Sequence, residues 1–191
     1  MSAILELPEV RERVQHTSVK LYHQLTELGA LPKQTELIRG VIVRKMSKSP
    51  LHGSISKRLY DSFLPILPPG LTIRRDDPLT LADSEPEPDI AVVLGTDRDF
   101  ADRHPTTAQL VIEVAVSSVA LDREMAALYA EAGVPEYWIV LAQQQQIEVY
   151  RQPDAGVYRD QRVFAAGETL TCASVPAITV SLRELFGVSA N

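Results

Sequence analysis

The sequence QLVIEVAVSSVALDREMAALYAEAGVPEYWIVL, residues 109–141, decides the fold class. Its beginning, residues 109–116, and its end, Glu136–Leu141, are almost continuously apolar over the length of a buried strand. Between them, residues 121–133 have the apolar spacing of a helix and end at a glycine, a common helix stop. Two apolar strands separated by a helix indicate a sheet that is covered on both faces. The segment therefore predicts an α/β fold.

The sequence before this segment adds shorter strands. Residues 88–94, PDIAVVL, predict another buried strand. In TELIRGVIVRKM, residues 35–46, two runs rich in β-branched residues flank Arg39 and Gly40, which predicts a tight hairpin with a positive φ at the glycine. Short strands are also expected on either side of Pro78.

Helices are predicted on both sides of these strands. Residues 19–28 form an amphipathic pattern with an apolar stripe and stop at Gly29, and residues 52–67 show helical spacing that Pro65 interrupts late. The region after residue 141 alternates polar and apolar residues, which predicts antiparallel strands that extend the same sheet. A short helix at residues 182–186 closes the chain.

Length and composition favour one globular domain. The 191 residues are 45% hydrophobic and 23% charged, and we expect a single domain over residues 17–187 with an N-terminal arm (1–16) and a short tail (188–191). One cysteine, Cys172, excludes a disulfide framework and a cysteine-based zinc cluster. No apolar run is long enough to cross a bilayer and no secretory signal is visible, so a cytoplasmic protein without membrane association is expected.

The charge is unevenly distributed along the chain. The net charge is −6, which disfavours non-specific binding to nucleic acid. Residues 39–75, however, contain eight basic residues and one acidic residue, whereas residues 76–102 contain nine acidic residues and one arginine. Such a pattern fits a site for a polyanion and a cation, and it equally fits ordinary solvated surface charge.

Glu113 lies in the otherwise apolar run of residues 110–116. A buried ionised carboxylate is costly unless it is paired or binds a metal, and the alternative is a glutamate that faces water or pairs with an arginine. Asp89 opens a second apolar strand, and the two carboxylates can converge if the strands are neighbours. Their repulsion would raise the pKa of one of the two carboxyl groups unless a divalent cation neutralised them. Oxygen ligands of this kind favour Mg²⁺ or Mn²⁺ over zinc. Glu36 is a possible third carboxylate.

Other polar residues are open to two interpretations. His52, at the start of a predicted helix, could contact phosphate or assist proton transfer, or it could be a cap or surface residue. Tyr129, Tyr137 and Trp138 are interpreted as packing residues. The sequence lacks the motifs of dinucleotide-binding proteins, P-loop hydrolases, α/β-hydrolases and zincins.

Five motifs follow one another along the chain. They are TELIRG (35–40), MSKSPLH (46–52), EPDIAVV (87–93), EVAVSS (113–118) and YAEAGVPEYW (129–138). In this order they resemble the motifs of the Uma-two family, a branch of the PD-(D/E)XK nuclease superfamily with a restriction-endonuclease-like fold. The resemblance covers roughly residues 17–187.

The resemblance implies a mixed β-sheet core flanked by helices, with antiparallel C-terminal strands, and a Mg²⁺-dependent (or Mn²⁺-dependent) endonuclease that hydrolyses DNA. It assigns Asp89 and Glu113 as catalytic, metal-binding carboxylates and Glu36 as an auxiliary catalytic acid. Basic residues of the 39–75 stretch would hold the DNA backbone. They are Lys45, Lys48, His52, Lys57, Arg74 and Arg75. A homodimer would suit the two-fold symmetry of a DNA duplex.

The sequence departs from this family in one respect. The superfamily places a lysine two residues after the second carboxylate or in the following helix, but here these positions hold Ala115 and Met125. Methionine can neither orient water nor stabilise charge on a phosphate. Lys57, Arg75 or Arg123 could substitute for the lysine. The alternative function is a non-catalytic module, on a nuclease scaffold, that binds nucleic acid or another protein.

Overall fold

The computed structural model describes residues 7–11 and 13–187, which form two compact units. The first unit extends to Lys45 and includes residues 82–86, and the second contains residues 46–81 and the chain from Glu87 onward. The predicted tail, 188–191, and parts of the predicted arm lie outside the described residues. Among those described, no helix has both the length and the apolar character needed to cross a membrane.

In its described residues, the first unit contains two helices and a hairpin. The elements are α1 (Pro8–Arg11), α2 (Val19–Glu27), β1 (Thr35–Ile38) and β2 (Val41–Arg44). Helix α2 is confirmed, with Ser18 as its N-cap. Its predicted apolar stripe holds in part, because Tyr22 is buried and Val19 and Leu25 are partly buried, whereas Leu28 is 80% exposed. The hairpin is also confirmed, and both of its turn residues, Arg39 and Gly40, adopt positive φ.

Up to residue 187, the second unit contains the main sheet and three helices. Its helices are α3 (Pro50–Phe63), α4 (Val119–Glu131) and α5 (Leu182–Phe186), with 3₁₀ turns at Leu64–Ile66 and Asp97–Phe100. Its strands are β3 (Leu71–Arg74), β4 (Ile90–Leu94), β5 (Leu110–Ala115), β6 (Glu136–Leu141), β7 (Gln146–Asp154), β8 (Val157–Ala165), β9 (Thr169–Thr171) and β10 (Thr179–Ser181).

Strands β3 to β8 form one mixed sheet in sequence order. Strands β5 and β6 are parallel and joined by α4, whereas the other neighbouring strands are antiparallel. The strand predicted after Pro78 is not formed, because proline offers no N–H for a ladder and the Thr80 N–H donates to the Pro105 carbonyl in a loop. Residues of β9 were expected to extend the main sheet, but β9 pairs with β10 in a separate ribbon.

Helices pack on both faces of the sheet, as predicted. On one face, Phe63 of α3 makes an edge-on contact with Trp138 of β6, with ring centroids 6.4 Å apart. On the other face, Tyr129 of α4 packs against Tyr137 of β6, with centroids 4.9 Å apart. Successive residues of a strand point to opposite faces. Because Ile112 belongs to the core that contains Phe63, the next residue along β5 points to the α4 face.

Candidate active site

The register of β4 and β5 brings the two predicted carboxylates together. Ile90 pairs with Ile112, so Asp89, just before β4, comes opposite Glu113 on β5. The Asp89 N–H donates to Glu113 Oε2 at 3.2 Å, and the Val114 N–H donates to Asp89 Oδ2 at 2.8 Å. The convergence expected if the strands were neighbours is therefore observed.

Asp89 is almost completely buried and is held by two side chains from the region that leads into α3. His52 Nε2 donates to Asp89 Oδ2 at 2.9 Å, and Lys48 Nζ donates to Oδ1 at 2.7 Å. Burial works to raise the pKa of Asp89, but the hydrogen bonds and charges of His52 and Lys48 outweigh it and hold the pKa below its usual value. Asp89 is therefore an anion at neutral pH.

The start of α3 explains how these two partners are positioned. Ser49 is the N-cap of the helix, and its hydroxyl accepts a hydrogen bond from the His52 N–H at 3.2 Å. Pro50, in the first turn, needs no backbone partner there. Because the helix begins at this point, Lys48 lies just before it and His52 in its first turn. The motif MSKSPLH thus supplies both contacts to Asp89.

His52 has a second feature of interest. A carboxylate can only accept a hydrogen bond, so Nε2 carries the proton that is donated to Asp89. The other ring nitrogen, Nδ1, is buried and has no hydrogen-bond partner within the described part of the chain. Buried polar atoms are rarely left without a partner, so this nitrogen marks a position for a water molecule or a ligand atom.

Lys48 forms ion pairs with two carboxylates. Besides Asp89, its ammonium contacts Asp76, in the loop that follows β3. Partial burial works to lower the pKa of Lys48, but the hydrogen bonds to Asp76 and Asp89 hold it above the usual value. Asp76 itself is held in a left-handed conformation, with φ of 59°, and its N–H donates to the Pro88 carbonyl.

Glu113 is oriented by a residue that the sequence analysis assigned only to packing. The Tyr129 hydroxyl, on α4, donates to Glu113 Oε1 at 2.9 Å. The tyrosine ring is buried as predicted, but its polar end points to the carboxylate. A hydroxyl on the helix that directly follows the strand of Glu113 was the signal in the sequence, because a crossover helix packs back on its own strand.

Asp122, in the first turn of α4, was also not identified from the sequence. Asp122 is only 8% exposed, and the Ser118 hydroxyl donates to its Oδ2 at 2.6 Å. Burial raises the pKa of Asp122 to about 6, the Ser118 hydrogen bond works in the opposite direction, and the negative charge of Asp89 raises the pKa further. Asp122 is thus electrostatically linked to the carboxylate pair.

Met125 lies on the buried face of α4, together with Asp122 and Tyr129. These positions are three and seven residues apart and therefore share one side of the helix. Met125 is 8% exposed, so the place at which the family resemblance expects a lysine is filled by an apolar side chain.

The remaining predicted site residues have partners of their own. Glu36 and Lys45 lie in the first unit, where they form an ion pair of 3.6 Å with each other. In the second unit, Lys57 pairs with Asp61 one helical turn further along α3, and both side chains are exposed. Such exposed pairs contribute little to stability and are easily opened.

The two predicted arginines are held by aromatic rings and acids. Arg74 lies over the ring of Phe100 at 5.5 Å, and its Nη2 is 3.4 Å from His104 Nδ1. Arg75 lies over the ring of Tyr60 at 5.7 Å and is 3.6 Å from a carboxylate oxygen of Asp76. The basic stretch is therefore largely compensated within the chain.

The carboxylate pair suits a hard divalent cation in its chemistry. Asp89 and Glu113 converge at the start of β4, and no set of three histidine, cysteine, aspartate or glutamate side chains among the described residues is arranged to hold a metal. Mg²⁺ commonly binds one or two carboxylates and completes its coordination with water and substrate phosphate, so a two-carboxylate donor set fits it. Asp89 and Glu113 are the residues that would bind it.

Comparisons with known proteins place the chain among nuclease-like folds. The family model Uma2, described as "Putative restriction endonuclease", matches residues 19–183. A crystal structure described as a "putative nuclease" from Anabaena variabilis superposes with a TM-score of 0.69 at 18% sequence identity, covering 85% of this chain and 97% of that one. No curated protein matches the chain significantly. The predicted restriction-endonuclease-like fold is confirmed.

Proposed function

Since the chain belongs to the Uma2 family, we propose that it is an endonuclease that hydrolyses DNA phosphodiester bonds at Asp89 and Glu113. The observation that carries the proposal is the hydrogen bond from the Asp89 N–H to the Glu113 carboxylate. It joins the main chain of Asp89 to the carboxylate of Glu113, at facing positions on neighbouring strands. The family of the chain is described as a putative restriction endonuclease.

Asp89 and Glu113 would together hold Mg²⁺ or Mn²⁺. A divalent cation at such a site neutralises the carboxylates, polarises a scissile phosphate and lowers the pKa of a water nucleophile. The protein's own contribution is to keep Asp89 ionised and to hold both carboxylates in place before the substrate arrives. Preorganised charge of this kind is a major source of rate enhancement.

Four groups of the chain provide this preorganisation. His52 and Lys48 hold Asp89 as an anion, while Tyr129 and the Asp89 N–H fix the two oxygens of Glu113. Lys48 donates from just before α3, His52 from its first turn, Asp89 from just before β4 and Tyr129 from α4. The unpartnered His52 Nδ1 faces a buried position, where a water molecule could bind.

The DNA backbone would be held by basic residues around this site. Lys48 and His52 contact Asp89 directly, while Lys57, Arg74 and Arg75 lie elsewhere in the second unit and would have to exchange their present partners for phosphates. The roles of Lys45 and of Glu36, as a phosphate contact and an auxiliary acid, belong to the same proposal. A homodimer would allow both strands of a duplex to be cut. We expect this activity in the cytoplasm.

Plasmid nicking tests the proposed function. Supercoiled DNA is incubated with Mg²⁺ or Mn²⁺ and either the wild type, Glu113→Gln or the control Glu124→Gln, an exposed acid of α4. We expect Glu113→Gln to lose roughly 10²–10³-fold in nicking rate, as when other electrostatic stabilisers are removed, and Glu124→Gln to match the wild type. Equal nicking by all three proteins would assign the activity to a contaminant or another site.

A second candidate function is favoured by the buried Met125. If the apolar side chain disables the site, the protein binds DNA in a salt-dependent manner without cutting it. Met125→Lys should then create or strongly raise nicking activity in the same assay. A wild type that already cuts, at a rate that Met125→Lys does not raise, rules out this candidate.

A further inference from the structure

We infer that the ammonium of Lys48 is a resident cation of the carboxylate site. A divalent ion must displace this ammonium from Asp89, and the displaced Lys48 then provides positive charge for the substrate phosphate. The inference rests on the proposed function and adds to it an intrinsic counter-ion. It explains how a site that lacks a lysine at position 125 keeps an ammonium group beside its carboxylates.

The contacts of Lys48 place its ammonium group directly on a predicted metal-binding oxygen. Nζ is 2.7 Å from Asp89 Oδ1, which is the distance of a charge-assisted hydrogen bond. The second oxygen of Asp89 is occupied by His52 and by the Val114 N–H. Oδ1 is therefore the oxygen on which Lys48 and an incoming cation would compete.

Charge explains why both cations cannot remain on this oxygen. An ammonium and a divalent ion at neighbouring positions on a carboxylate repel each other strongly in a partly buried site. Asp76, the second partner of Lys48, offers a destination, because its side chain is 38% exposed while that of Asp89 is 7% exposed. The lysine can release Asp89, retain Asp76 and stay at the rim of the site.

The other candidates for the missing positive charge have different surroundings. Lys57 pairs with Asp61 on the exposed side of α3, Arg75 is stacked on Tyr60, and Arg123 forms a bidentate pair with Glu148. Met125 carries no charge. Lys48 differs from Lys57, Arg75 and Arg123 in that its charged group contacts Asp89.

Two measurements on Lys48→Met test the inference, with the exposed Lys20→Met of α2 as a control. Calorimetric titration with Mn²⁺ should show that Lys48→Met binds the ion roughly fivefold tighter than the wild type, because a competing ion pair has been removed. At saturating Mn²⁺, its plasmid nicking should fall by about tenfold or more. Lys20→Met should match the wild type in both, and Lys48→Arg, which keeps the charge, should retain wild-type Mn²⁺ affinity.

The outcomes separate this inference from the proposed function. Unchanged or weaker Mn²⁺ affinity in Lys48→Met overturns the inference, as does tighter binding with wild-type nicking, or the absence of Mn²⁺ binding to every variant. If Glu113→Gln nicks DNA like the wild type, the proposed function fails, and the affinity of Lys48→Met alone decides the role of the lysine as a resident cation. If thermal denaturation shows that Lys48→Met does not fold, Lys48→Gln takes its place in both measurements.

Discussion

Two buried carboxylate sites at strand ends of the same sheet are satisfied in different ways. Glu136, the first residue of β6, is fully buried, and its Oε1 accepts hydrogen bonds from Arg151 at 2.8 Å and from the Trp138 indole at 2.7 Å. Its Oε2 accepts the Ala173 N–H at 2.6 Å. Asp89 has firm partners on one oxygen, because Oδ2 accepts from His52 and from the Val114 N–H. Its Oδ1, by contrast, accepts from Lys48, a long side chain that also contacts the partly exposed Asp76.

The difference distinguishes a structural carboxylate from one available to a ligand. The partners of Glu136 are main-chain groups, an indole and a planar guanidinium, all of which have little freedom to leave. The ammonium of Lys48 sits on a flexible stem and has a second acid to bind. A carboxylate with such a removable counter-ion can accept another cation. Glu136 instead connects the sheet to the segment that follows β9, through its hydrogen bond with the Ala173 N–H.

The largest effect on stability is expected from Glu136→Ala. The substitution leaves the largely buried Arg151 without its acid, and breaking a buried ion pair in this way typically costs about 3–5 kcal/mol. Chemical denaturation should show this loss in the free energy of unfolding. A loss below about 1 kcal/mol would mean that Glu136 contributes no more to stability than an acid in an exposed ion pair.

Asp122→Asn should change how stability depends on pH. The pKa of Asp122 is raised to about 6, so its carboxyl is neutral in the folded state at pH values where the unfolded chain already carries the charge. The wild type should therefore lose stability as pH rises from about 4 to about 6, by roughly 2–3 kcal/mol, and the variant should lack this contribution. Unfolding measured across this range checks the prediction, and parallel profiles for the two proteins would contradict it.

A smaller effect is expected from Tyr129→Phe, which removes the hydroxyl that holds Glu113. The free energy of unfolding should fall by about 1 kcal/mol, the usual contribution of such a hydrogen bond. Tyr158→Phe is the matched control, because its hydroxyl donates to the Val134 carbonyl instead. Calorimetry should show weaker Mn²⁺ binding for Tyr129→Phe and unchanged binding for Tyr158→Phe. Equal Mn²⁺ affinities for the two variants would exclude Tyr129 from the site.

The smallest effect concerns Cys172, beside Glu136. Burial and the charge of Glu136 raise the pKa of the thiol to about 11, so very little thiolate exists at neutral pH. Iodoacetamide should leave Cys172 unmodified in the folded protein at pH 8 and react with it after denaturation. Rapid alkylation of the native protein would show that the region around Glu136 opens readily.

The sequence predicts the strand-helix-strand core because β5, α4 and β6 have strong and separate apolar patterns. The convergence of Asp89 and Glu113 was predictable from the same patterns, since each acid interrupts or precedes a buried strand. Lys48 and Asp122 were harder to place. The contact of Lys48 with Asp89 joins residues 41 positions apart, with α3 and β3 between them. Asp122 resembles an ordinary acid in the first turn of a helix.

The most direct test of the account is an anomalous difference map from crystals soaked in Mn²⁺. We predict a peak in contact with the carboxylates of both Asp89 and Glu113, with the ammonium of Lys48 moved away from Asp89 Oδ1. A map without a peak at these two residues, in which Lys48 still contacts Asp89, would contradict it.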